Sequence, residues 1–511
     1  MIEWSSLHLQ PRAILSLFLF MSTRHMTRRL LSLLLFLLAL PVLAQPADTF
    51  SEVIRSRIDT LLTDKLFQRS HVGIYIYDAT ADVPIYEHDK LQTLRPASNM
   101  KVMTSAAALT LLGTDYNYQT RLYIAGLTEN SKPKADTARV DSVPAKAATY
   151  SATVYVRGGM DPLLDTDDLR AFAKALRDRG ITVVKGNIVC DATFKDTVSM
   201  GWGWCWDDDY VPLTPFLFQG KSGTFNAAFT KALSSAGITF KGKYVHGRVP
   251  QGAQLLATRR HTIDDILVPM MKRSDNLFAE SLFYQLNCKS GKVSASGKDA
   301  AAQVKQFIKL VGHSPENYSI ADGSGLSLYN YLSAELLVDV LRYIYRHENL
   351  YAHLDPSLPV MGRDGTLSKR CIGTTAQDRV HAKTGTVRGV SALSGYCQAA
   401  NGHLLIFSII NQGITEASQG RGFQDRVCQA LTRPIGQAEV QPLTEPEPQS
   451  EASADEPATA AEKAASAAEE PASSVEKATS QSAGSSQQSD IDASASAINS
   501  DDAITHDPDE E

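Results

Sequence analysis

The feature that most constrains the fold is a strongly apolar stretch that begins with a serine and a lysine three residues apart. It reads RPASNMKVMTSAAALTLLG over residues 95–113 and predicts a buried helix. Residues i and i+3 share one face of a helix, so the Ser98 hydroxyl and the Lys101 amine can meet. A buried lysine of lowered pKa can activate a serine, which makes Ser98 a candidate nucleophile and Lys101 its base. Taken alone, the motif leaves open an N-cap serine and a lysine whose stem lies along apolar surface.

Two further short motifs follow in the chain. Ser274 and Asn276 stand in an SDN tripeptide at a predicted junction of two helices, from which both side chains can project into one cleft. Lys383 begins a KTGT segment in a β-rich context, where a lysine beside a hydroxyl can hold a carboxylate and Gly385 permits close approach by a ligand. Each motif has an ordinary alternative, a common loop tripeptide in the first case and a strand end in the second.

The three motifs in this order, S-x-x-K, SDN and KTG, are the mark of penicillin-binding proteins and class A β-lactamases. The long segment between the first two motifs resembles the class C low-molecular-mass penicillin-binding proteins. These are D-alanyl-D-alanine carboxypeptidases/endopeptidases similar to penicillin-binding protein 4. The resemblance extends over roughly residues 50–435. Further stretches that match the family pattern are residues 158–164, 201–208, 321–327, 358–370 and 389–396.

The resemblance implies an α/β (α+β) fold of the serine β-lactamase/DD-peptidase type. In this fold an antiparallel sheet flanked by helices adjoins an all-helical half. Strand-like stretches between residues 114 and 257 predict an inserted β-rich subdomain. The predicted divisions are an extension and signal peptide (1–44), a penicillin-binding DD-peptidase domain (45–113 and 258–436), the inserted subdomain (114–257) and a disordered acidic tail (437–511).

The resemblance also implies a role for each motif residue. Ser98 attacks the carbonyl of the penultimate D-Ala in a peptidoglycan stem peptide, and Lys101 accepts the hydroxyl proton. Ser274 relays a proton to the leaving amine, with Lys383 nearby lowering the pKa of Lys101. Asn276 orients Lys101 and the substrate amide. The terminal carboxylate is recognised by the KTGT segment, that is by Lys383, Thr384, Gly385 and Thr386. No metal or organic cofactor is expected.

Two weaker candidates lie between the first two motifs. Asp161 in GGMDPLL is a candidate contact for a substrate amine, with a turn-forming Asp-Pro as the alternative. Three tryptophans alternate in GWGWCWDD; we predict that they pack in the core, with stacking on sugar rings as the alternative. These tryptophans are Trp202, Trp204 and Trp206.

Two other functions remain open beside a DD-peptidase. One is a β-lactamase or esterase on the same fold, and the other is a non-catalytic peptidoglycan-binding protein. Class A β-lactamases carry an E-x-x-L-N segment that activates the deacylating water, and none occurs between Asn276 and Lys383. We therefore expect β-lactams to act as covalent inhibitors whose acyl-enzyme hydrolyses slowly. A protein that only binds peptidoglycan would not need all five of the proposed catalytic groups.

The N-terminal sequence RHMTRRLLSLLLFLLALPVLAQPA is typical of a secretory signal peptide. It has a basic start, an apolar core and small residues before a predicted cleavage after Ala44. A membrane anchor is the alternative, although the apolar run is shorter than the roughly 20 residues of a membrane span. We therefore expect an exported, periplasmic protein of the cell envelope. Association with the membrane surface and the oligomeric state stay open.

Charge is unevenly distributed along the chain. From residue 441 onward there are 17 Asp or Glu and 2 Lys, in a sequence rich in Ala, Ser, Glu and Pro that predicts disorder. The remainder carries a mild positive charge, without zinc-type Cys/His spacing or a phosphate-binding glycine loop, and no nucleic-acid partner is expected. Whether the six cysteines form disulfides or stay as buried thiols is left open by their scattered spacing.

Overall fold

The computed structural model describes residues 49–130, 149–221, 223–289 and 294–436. The predicted leader and the predicted acidic tail lie outside the described residues. The helices are α1 (Thr49–Leu62), α2 (Met100–Leu112), α3 (Thr166–Asp178), α4 (Phe225–Ser235), α5 (Ile263–Lys272), α6 (Asn276–Gln285), α7 (Gly297–Leu310), α8 (Ala334–Arg346), α9 (Glu348–Leu354) and α10 (Ala417–Thr432). The strands are β1 (His71–Asp78), β2 (Val83–His88), β3 (Asn117–Glu129), β4 (Tyr150–Arg157), β5 (Ile181–Val184), β6 (Ile188–Asp191), β7 (Thr239–Phe240), β8 (Tyr244–His246), β9 (Gln254–Thr262), β10 (Val380–Val387), β11 (Val390–Gln398) and β12 (Leu404–Gln412).

The first sheet has five antiparallel strands in the order β10-β11-β12-β1-β2. Successive side chains of a strand point to opposite faces, and both faces of this sheet are buried. Leu393 and Cys397 of β11 belong to the core beneath α1 and α10. Ala392 and Tyr396 belong to the core shared with the helical half. The sheet therefore lies between two helical layers, which confirms the predicted fold class.

The helical half is built around α2, the apolar helix that follows Ser98. Its residues from Met100 to Leu109 are all buried, and it packs against α6, α7 and α8. Alanine-rich sequence has a high helix propensity and lets neighbouring helices approach closely on every side. This packing holds the start of α2, and with it Ser98, in a fixed position.

A second sheet is formed between Asn117 and Thr262. It runs β7-β5-β4-β3-β9, and β6 pairs with β4 and β8. β3 is antiparallel to β4 and β9, whereas β5 and β6 are parallel to β4. Helices α3 and α4 pack on this sheet over a core of its own that includes Phe172 and Phe229. The sheet falls largely within the predicted insertion, and the division into domains stays a prediction.

The six cysteines are all free thiols in the structure. Three of them are buried, two are exposed and one is partly exposed. Of the two alternatives that the sequence left open, disulfides or free thiols, the structure has free thiols. The buried ones are Cys190, Cys397 and Cys428.

Candidate active site

Ser98 lies in a 3₁₀ turn, Ala97–Asn99, that leads directly into α2. Ala97 has a left-handed backbone, with φ of 47°, which turns the chain sharply before the helix. Gly325 packs against this turn so closely that a Cβ atom there would lie 1.8 Å from the Ala97 carbonyl oxygen. Gly325 itself has φ of 83°, a conformation that glycine adopts without strain. The turn is therefore supported from behind by the loop of residues 321–327.

Lys101 is fully buried and donates three hydrogen bonds from its Nζ atom. The acceptors are the Ser98 Oγ at 3.0 Å, the Asn276 Oδ1 at 2.7 Å and the Ser324 carbonyl oxygen at 2.9 Å. Three acceptors fit the three protons of an ammonium group, and they fix the lysine beside the candidate nucleophile. The structure thus brings the first two motifs together through one side chain.

Lys383 is the second fully buried lysine of the cleft. Its Nζ atom donates to the Ser274 Oγ at 2.9 Å and to the Thr384 carbonyl oxygen at 2.8 Å. Ser274 has φ of 60°, a left-handed conformation at the junction between α5 and α6. Asp275 caps α6 by accepting a hydrogen bond from the Phe278 amide. The second and third motifs therefore meet through Lys383.

Strand β10 runs directly beside the Ser98 turn. The Asn99 side-chain amide donates to the Lys383 carbonyl oxygen at 3.1 Å. A Cβ atom on Gly385 would lie 2.8 Å from both the Asn99 Nδ2 and the Pro96 carbonyl oxygen, so only glycine fits there. Thr384 donates its hydroxyl proton to Thr366, and Thr386 is exposed at the cleft edge of the strand. The KTGT segment thus forms one wall of the site.

Burial disfavours the protonated, charged form of both lysines in the cleft. Burial lowers the pKa of Lys101 from 10.5 to about 8, against the opposing effect of the nearby carboxylates of Asp322, Glu280 and Asp275. Burial, followed by repulsion from Lys101, lowers the pKa of Lys383 well below its ordinary value. The resemblance attributes the lowered pKa of Lys101 to Lys383, whereas the structure makes burial the main cause. A lysine of this kind can release its proton near neutral pH and act as a base.

Two buried carboxylates lie behind Lys101. Asp322 stands in the glycine-rich stretch 321–327, for which the sequence predicts a turn that Asp322 caps, whereas the motifs do not indicate Glu280. Glu280 accepts hydrogen bonds from the Gly323 and Ser324 amides. Asp322 accepts from the Gly325 and Ser327 amides and thereby closes the glycine-rich turn. The sequence signal for Glu280 is its position four residues after Asn276 in α6, which puts both on one helix face.

The weaker candidates from the sequence lie elsewhere. The Asp161 carboxylate is fully buried and bonds to His261 at 2.7 Å and to the Leu163 amide, so its contact with a substrate amine stays a prediction.

Of the three tryptophans in the same segment, Trp204 is buried and donates to Asp322 at 2.9 Å. The prediction of core packing is wrong for Trp202 and Trp206, whose side chains are 64% and 87% exposed. Among the described residues, no cluster of three His, Cys, Asp or Glu could hold a metal ion.

Comparison with known proteins relates the chain to the same class of enzymes that the motifs indicate. The D-Ala-D-Ala carboxypeptidase 3 (S13) family model matches residues 54–217 and 214–433. The chain is 28% identical to the D-alanyl-D-alanine carboxypeptidase of Actinomadura sp. strain R39, over 73% of this chain and 84% of that protein. It is 25% identical to the D-alanyl-D-alanine carboxypeptidase DacB of Haemophilus influenzae, over 68% and 86% respectively. The crystal structure of penicillin binding protein 4 (dacB) from H. influenzae superposes with a TM-score of 0.62 at 23% identity, covering 73% of this chain and 98% of that one.

A serine in the turn before a buried helix, a lysine that can lose its proton and a second Ser–Lys pair define a serine hydrolase of the penicillin-binding fold. The chain belongs to the D-Ala-D-Ala carboxypeptidase 3 (S13) family. It is therefore a serine-type carboxypeptidase similar to penicillin-binding protein 4, as the motifs predict.

Proposed function

We propose that Ser98 cleaves the terminal D-Ala-D-Ala bond of peptidoglycan stem peptides through an acyl-enzyme. The observation that carries the proposal is the 3.0 Å contact between the Lys101 Nζ and the Ser98 Oγ. The contact joins a hydroxyl to a lysine whose pKa is lowered to about 8 by burial. Lys101 takes the hydroxyl proton as Ser98 attacks the carbonyl of the penultimate D-Ala. Asn276 accepts a hydrogen bond from Lys101 at 2.7 Å and so helps to hold the amine beside Ser98.

The second Ser–Lys pair serves the leaving group and the substrate terminus. Ser274, bonded to Lys383, passes a proton to the departing amine of the terminal D-Ala. Lys383, Thr384 and Thr386 receive the terminal carboxylate along β10, where Gly385 allows the peptide to lie close to the strand. The backbone amides of Ser98 and Thr386 stabilise the developing oxyanion. Water then hydrolyses the acyl-enzyme and releases the shortened peptide.

We propose that β-lactams acylate the same serine. The solved structures that resemble this chain include the H. influenzae protein complexed with a β-lactam, with a TM-score of 0.58 at 24% identity. This chain has no E-x-x-L-N segment to supply a deacylating base. The penicilloyl-enzyme should therefore persist, and fast hydrolysis of nitrocefin by the purified protein would favour a β-lactamase instead.

Labelling with a fluorescent penicillin tests the nucleophile. The wild-type protein should become covalently labelled, and Ser98→Ala should not. Ser105→Ala is a matched control, because Ser105 lies in α2, beyond the Ser98 turn, and its hydroxyl is buried against the Lys101 carbonyl oxygen and the Met271 sulfur, away from the Lys101 amine. Equal labelling of wild type and Ser98→Ala would reject Ser98. A properly folded wild-type protein that takes no label would instead favour a non-catalytic peptidoglycan-binding protein.

Carboxypeptidase and endopeptidase activity are both part of the proposal. Release of D-Ala from a pentapeptide measures the first, and cleavage of cross-linked peptide dimers measures the second. The two reactions share the bond type and the acyl-enzyme and differ in the leaving group. Both activities should vanish together in Ser98→Ala.

We further propose that the protein works in the cell envelope after export. The secretory leader predicted over residues 1–44 supports this location, as does a substrate that lies in the wall. Among the described residues, no helix has the length and apolar character to cross a membrane. We also propose that the β-rich segment 114–257 is a subdomain inserted into the DD-peptidase domain, because its sheet has a core of its own. Fractionation of cells into periplasm, membrane and cytoplasm would test the location.

A further inference from the structure

Glu280 lies directly behind the catalytic lysine, on the helix that carries Asn276. Its side chain is buried, and its position one turn after Asn276 puts both residues on the same face of α6. Asn276 contacts Lys101 directly, whereas Glu280 reaches it through the backbone of the loop 321–327. One helix face thus supports Lys101 in two ways.

The Glu280 carboxylate holds two consecutive backbone amides. Its Oε1 accepts from the Gly323 amide at 3.1 Å and from the Ser324 amide at 2.8 Å, and its Oε2 lies 3.3 Å from the Gly323 amide. The Ser324 carbonyl oxygen, on the same residue, accepts the hydrogen bond of Lys101. The amide of Ser324 thus contacts Glu280, and the carbonyl oxygen of the same residue contacts Lys101.

The same loop is held from its other side by α2. The Thr104 hydroxyl donates to the Gly323 carbonyl oxygen at 2.7 Å. A Cβ atom on Gly323 would lie 2.4 Å from the Phe283 Cβ and 2.9 Å from the Ala279 carbonyl oxygen, so the loop is pressed against α6. The Gly323–Ser324 peptide is fixed between two helices, and a small movement of it would move the Ser324 acceptor.

We propose that Glu280 is a positioning residue, which holds the Gly323–Ser324 peptide so that the Ser324 carbonyl directs the Lys101 amine at Ser98. The inference rests on the proposed function, because it assigns Lys101 the role of base. When Ser98 attacks a substrate, its Oγ ceases to be a fixed acceptor, and Lys101 is then held by Asn276 and Ser324. Glu280 acts through Ser324 and does not touch the substrate.

Electrostatics are consistent with this arrangement. Burial, and then the nearby Asp322, raises the pKa of Glu280 to about 8, against the opposing bonds from Ser324 and Gly323. Glutamine has the shape of the protonated side chain, and its oxygen can still accept from both amides. Leucine has a similar volume but leaves two buried amides without an acceptor. The two substitutions therefore separate the hydrogen bonds from the side-chain volume.

The test compares Glu280→Leu and Glu280→Gln in a time course of acylation by fluorescent penicillin. The dependence on penicillin concentration separates the dissociation constant of the initial complex from the acylation rate constant. In Glu280→Leu the rate constant should fall on the order of 100-fold, the loss expected for a misplaced catalytic group. The dissociation constant should change less than about twofold, and Glu280→Gln should retain the rate constant to within about tenfold.

Asp191→Asn is the matched control. Asp191 is a fully buried carboxylate in the second sheet, and it also accepts from two backbone amides, those of Thr193 and Val249. It should lose thermal stability and acylate at the wild-type rate. A general loss of packing would instead lower stability in both variants without slowing acylation of the folded protein.

A folded Glu280→Leu variant that acylates at the wild-type rate would overturn the proposal, as would a rise in the dissociation constant in place of the slower step. If Glu280→Leu does not fold, Thr104→Val decides the question, because it removes the opposite support of the same peptide at constant shape. A slower rate constant in Thr104→Val supports the proposal, and a wild-type rate overturns it. Failure of Ser98-dependent labelling in the wild type would instead overturn the proposed function itself.

Discussion

Buried charges are arranged differently in the cleft and around the second sheet. In the cleft, neither Lys101 nor Lys383 lies within ion-pair distance of a carboxylate among the residues that the structure describes, and both bond to neutral acceptors. Around the second sheet, Asp191 pairs with Arg157 at 2.9 Å and Asp168 with Arg259 at 2.6 Å. Within the described ranges, the third buried lysine, Lys195, pairs with Asp196 at 2.7 Å, so the buried lysines without a direct counter-ion are the two for which chemistry is proposed.

The difference shows what each arrangement achieves. Burial alone would raise the pKa of Asp191, but hydrogen bonds from Thr193, Val249 and Arg157 lower it on balance, so this carboxylate stays charged. Hydrogen bonds to neutral acceptors do not offset the desolvation of Lys101, and its pKa falls to about 8. The carboxylates of the second sheet, which are paired with arginines, stabilise the fold. The cleft lysines have no counter-ion, and they can therefore release a proton.

Removing the amine of Lys101 should have the largest effect on the cleft. We expect Lys101→Met to slow acylation by fluorescent penicillin on the order of 10²–10⁴-fold, the usual contribution of a general base. Lys195→Met is the control, because Lys195 is also buried but pairs with Asp196 at 2.7 Å. It should lose stability and acylate at the wild-type rate. Acylation by Lys101→Met within tenfold of wild type would show that another group is the base.

The second prediction concerns pH. Lys101 must be unprotonated to accept the Ser98 proton, and its pKa of about 8 sets the range in which that form is lost. The acylation rate constant should therefore rise with pH, level off above about pH 8, and be roughly 100-fold lower at about pH 6. The measurement is a series of acylation rates from about pH 5.5 to 9.5, with circular dichroism as the check on folding. A flat profile would mean that acylation does not depend on loss of a proton from Lys101, and the contrast between the unpaired cleft lysines and the paired charges of the second sheet would then have no catalytic consequence.

The third prediction tests the close approach of β10 to the Ser98 turn. The added methyl of Gly385→Ala would lie 2.8 Å from the Asn99 Nδ2 and the Pro96 carbonyl oxygen, so the strand must move away. We expect acylation to slow by about tenfold or more. Gly422→Ala in α10 is the control, because its added methyl has no neighbour within 4 Å. That control should acylate normally and gain up to about 1 kcal/mol of stability from higher helix propensity. Equal rates for the two variants would contradict the proposed role of β10 as a wall of the cleft.

Sequence reasoning predicted the parts of the molecule that depend on local signals. The helix of residues 166–178 has an acidic start, which the structure shows as a capping box between Asp165 and Asp168. The alternating residues after Val390, interrupted by a turn, predict a hairpin, and they form the antiparallel pair β11 and β12. Ser274 lies, as predicted, between two helices. Each of these signals is contained within about twenty residues.

Long-range contacts explain what the sequence could not predict. The role proposed for Glu280 depends on amides 43 and 44 residues away, and no periodic pattern connects the two segments. Trp202 and Trp204 are neighbours in the same motif, yet one is exposed and the other meets Asp322, 118 residues further along the chain. Direct motif matching finds groups that touch the substrate, because their spacing is constrained, and it misses the groups that hold them in place.

The smallest expected effect concerns the pH dependence of stability in the second sheet. The hydrogen bond to Asp161 raises the pKa of His261 above 6.5, and the opposing effect of burial is smaller. The protonated form is favoured in the folded protein, so its contribution is fully present below about pH 6.5 and is lost as pH rises through the raised pKa. The lowered pKa of Lys101 acts in the opposite direction, because stability rises with pH between about 8 and 10.5.

His261→Gln isolates the first of these contributions, since glutamine can still donate to Asp161 but does not titrate. Below about pH 6.5 the variant should be less stable than wild type by less than about 1 kcal/mol, the usual worth of a partly exposed ion pair. The difference should shrink as pH rises, because the wild-type histidine then loses its charge. Urea unfolding of both proteins between about pH 5.5 and 8.5 measures it, with acylation rates as the check that the cleft is unaffected. A difference that stays constant with pH would mean that His261 contributes by packing alone, and the contrast in charge compensation would then rest on Asp168 and Asp191.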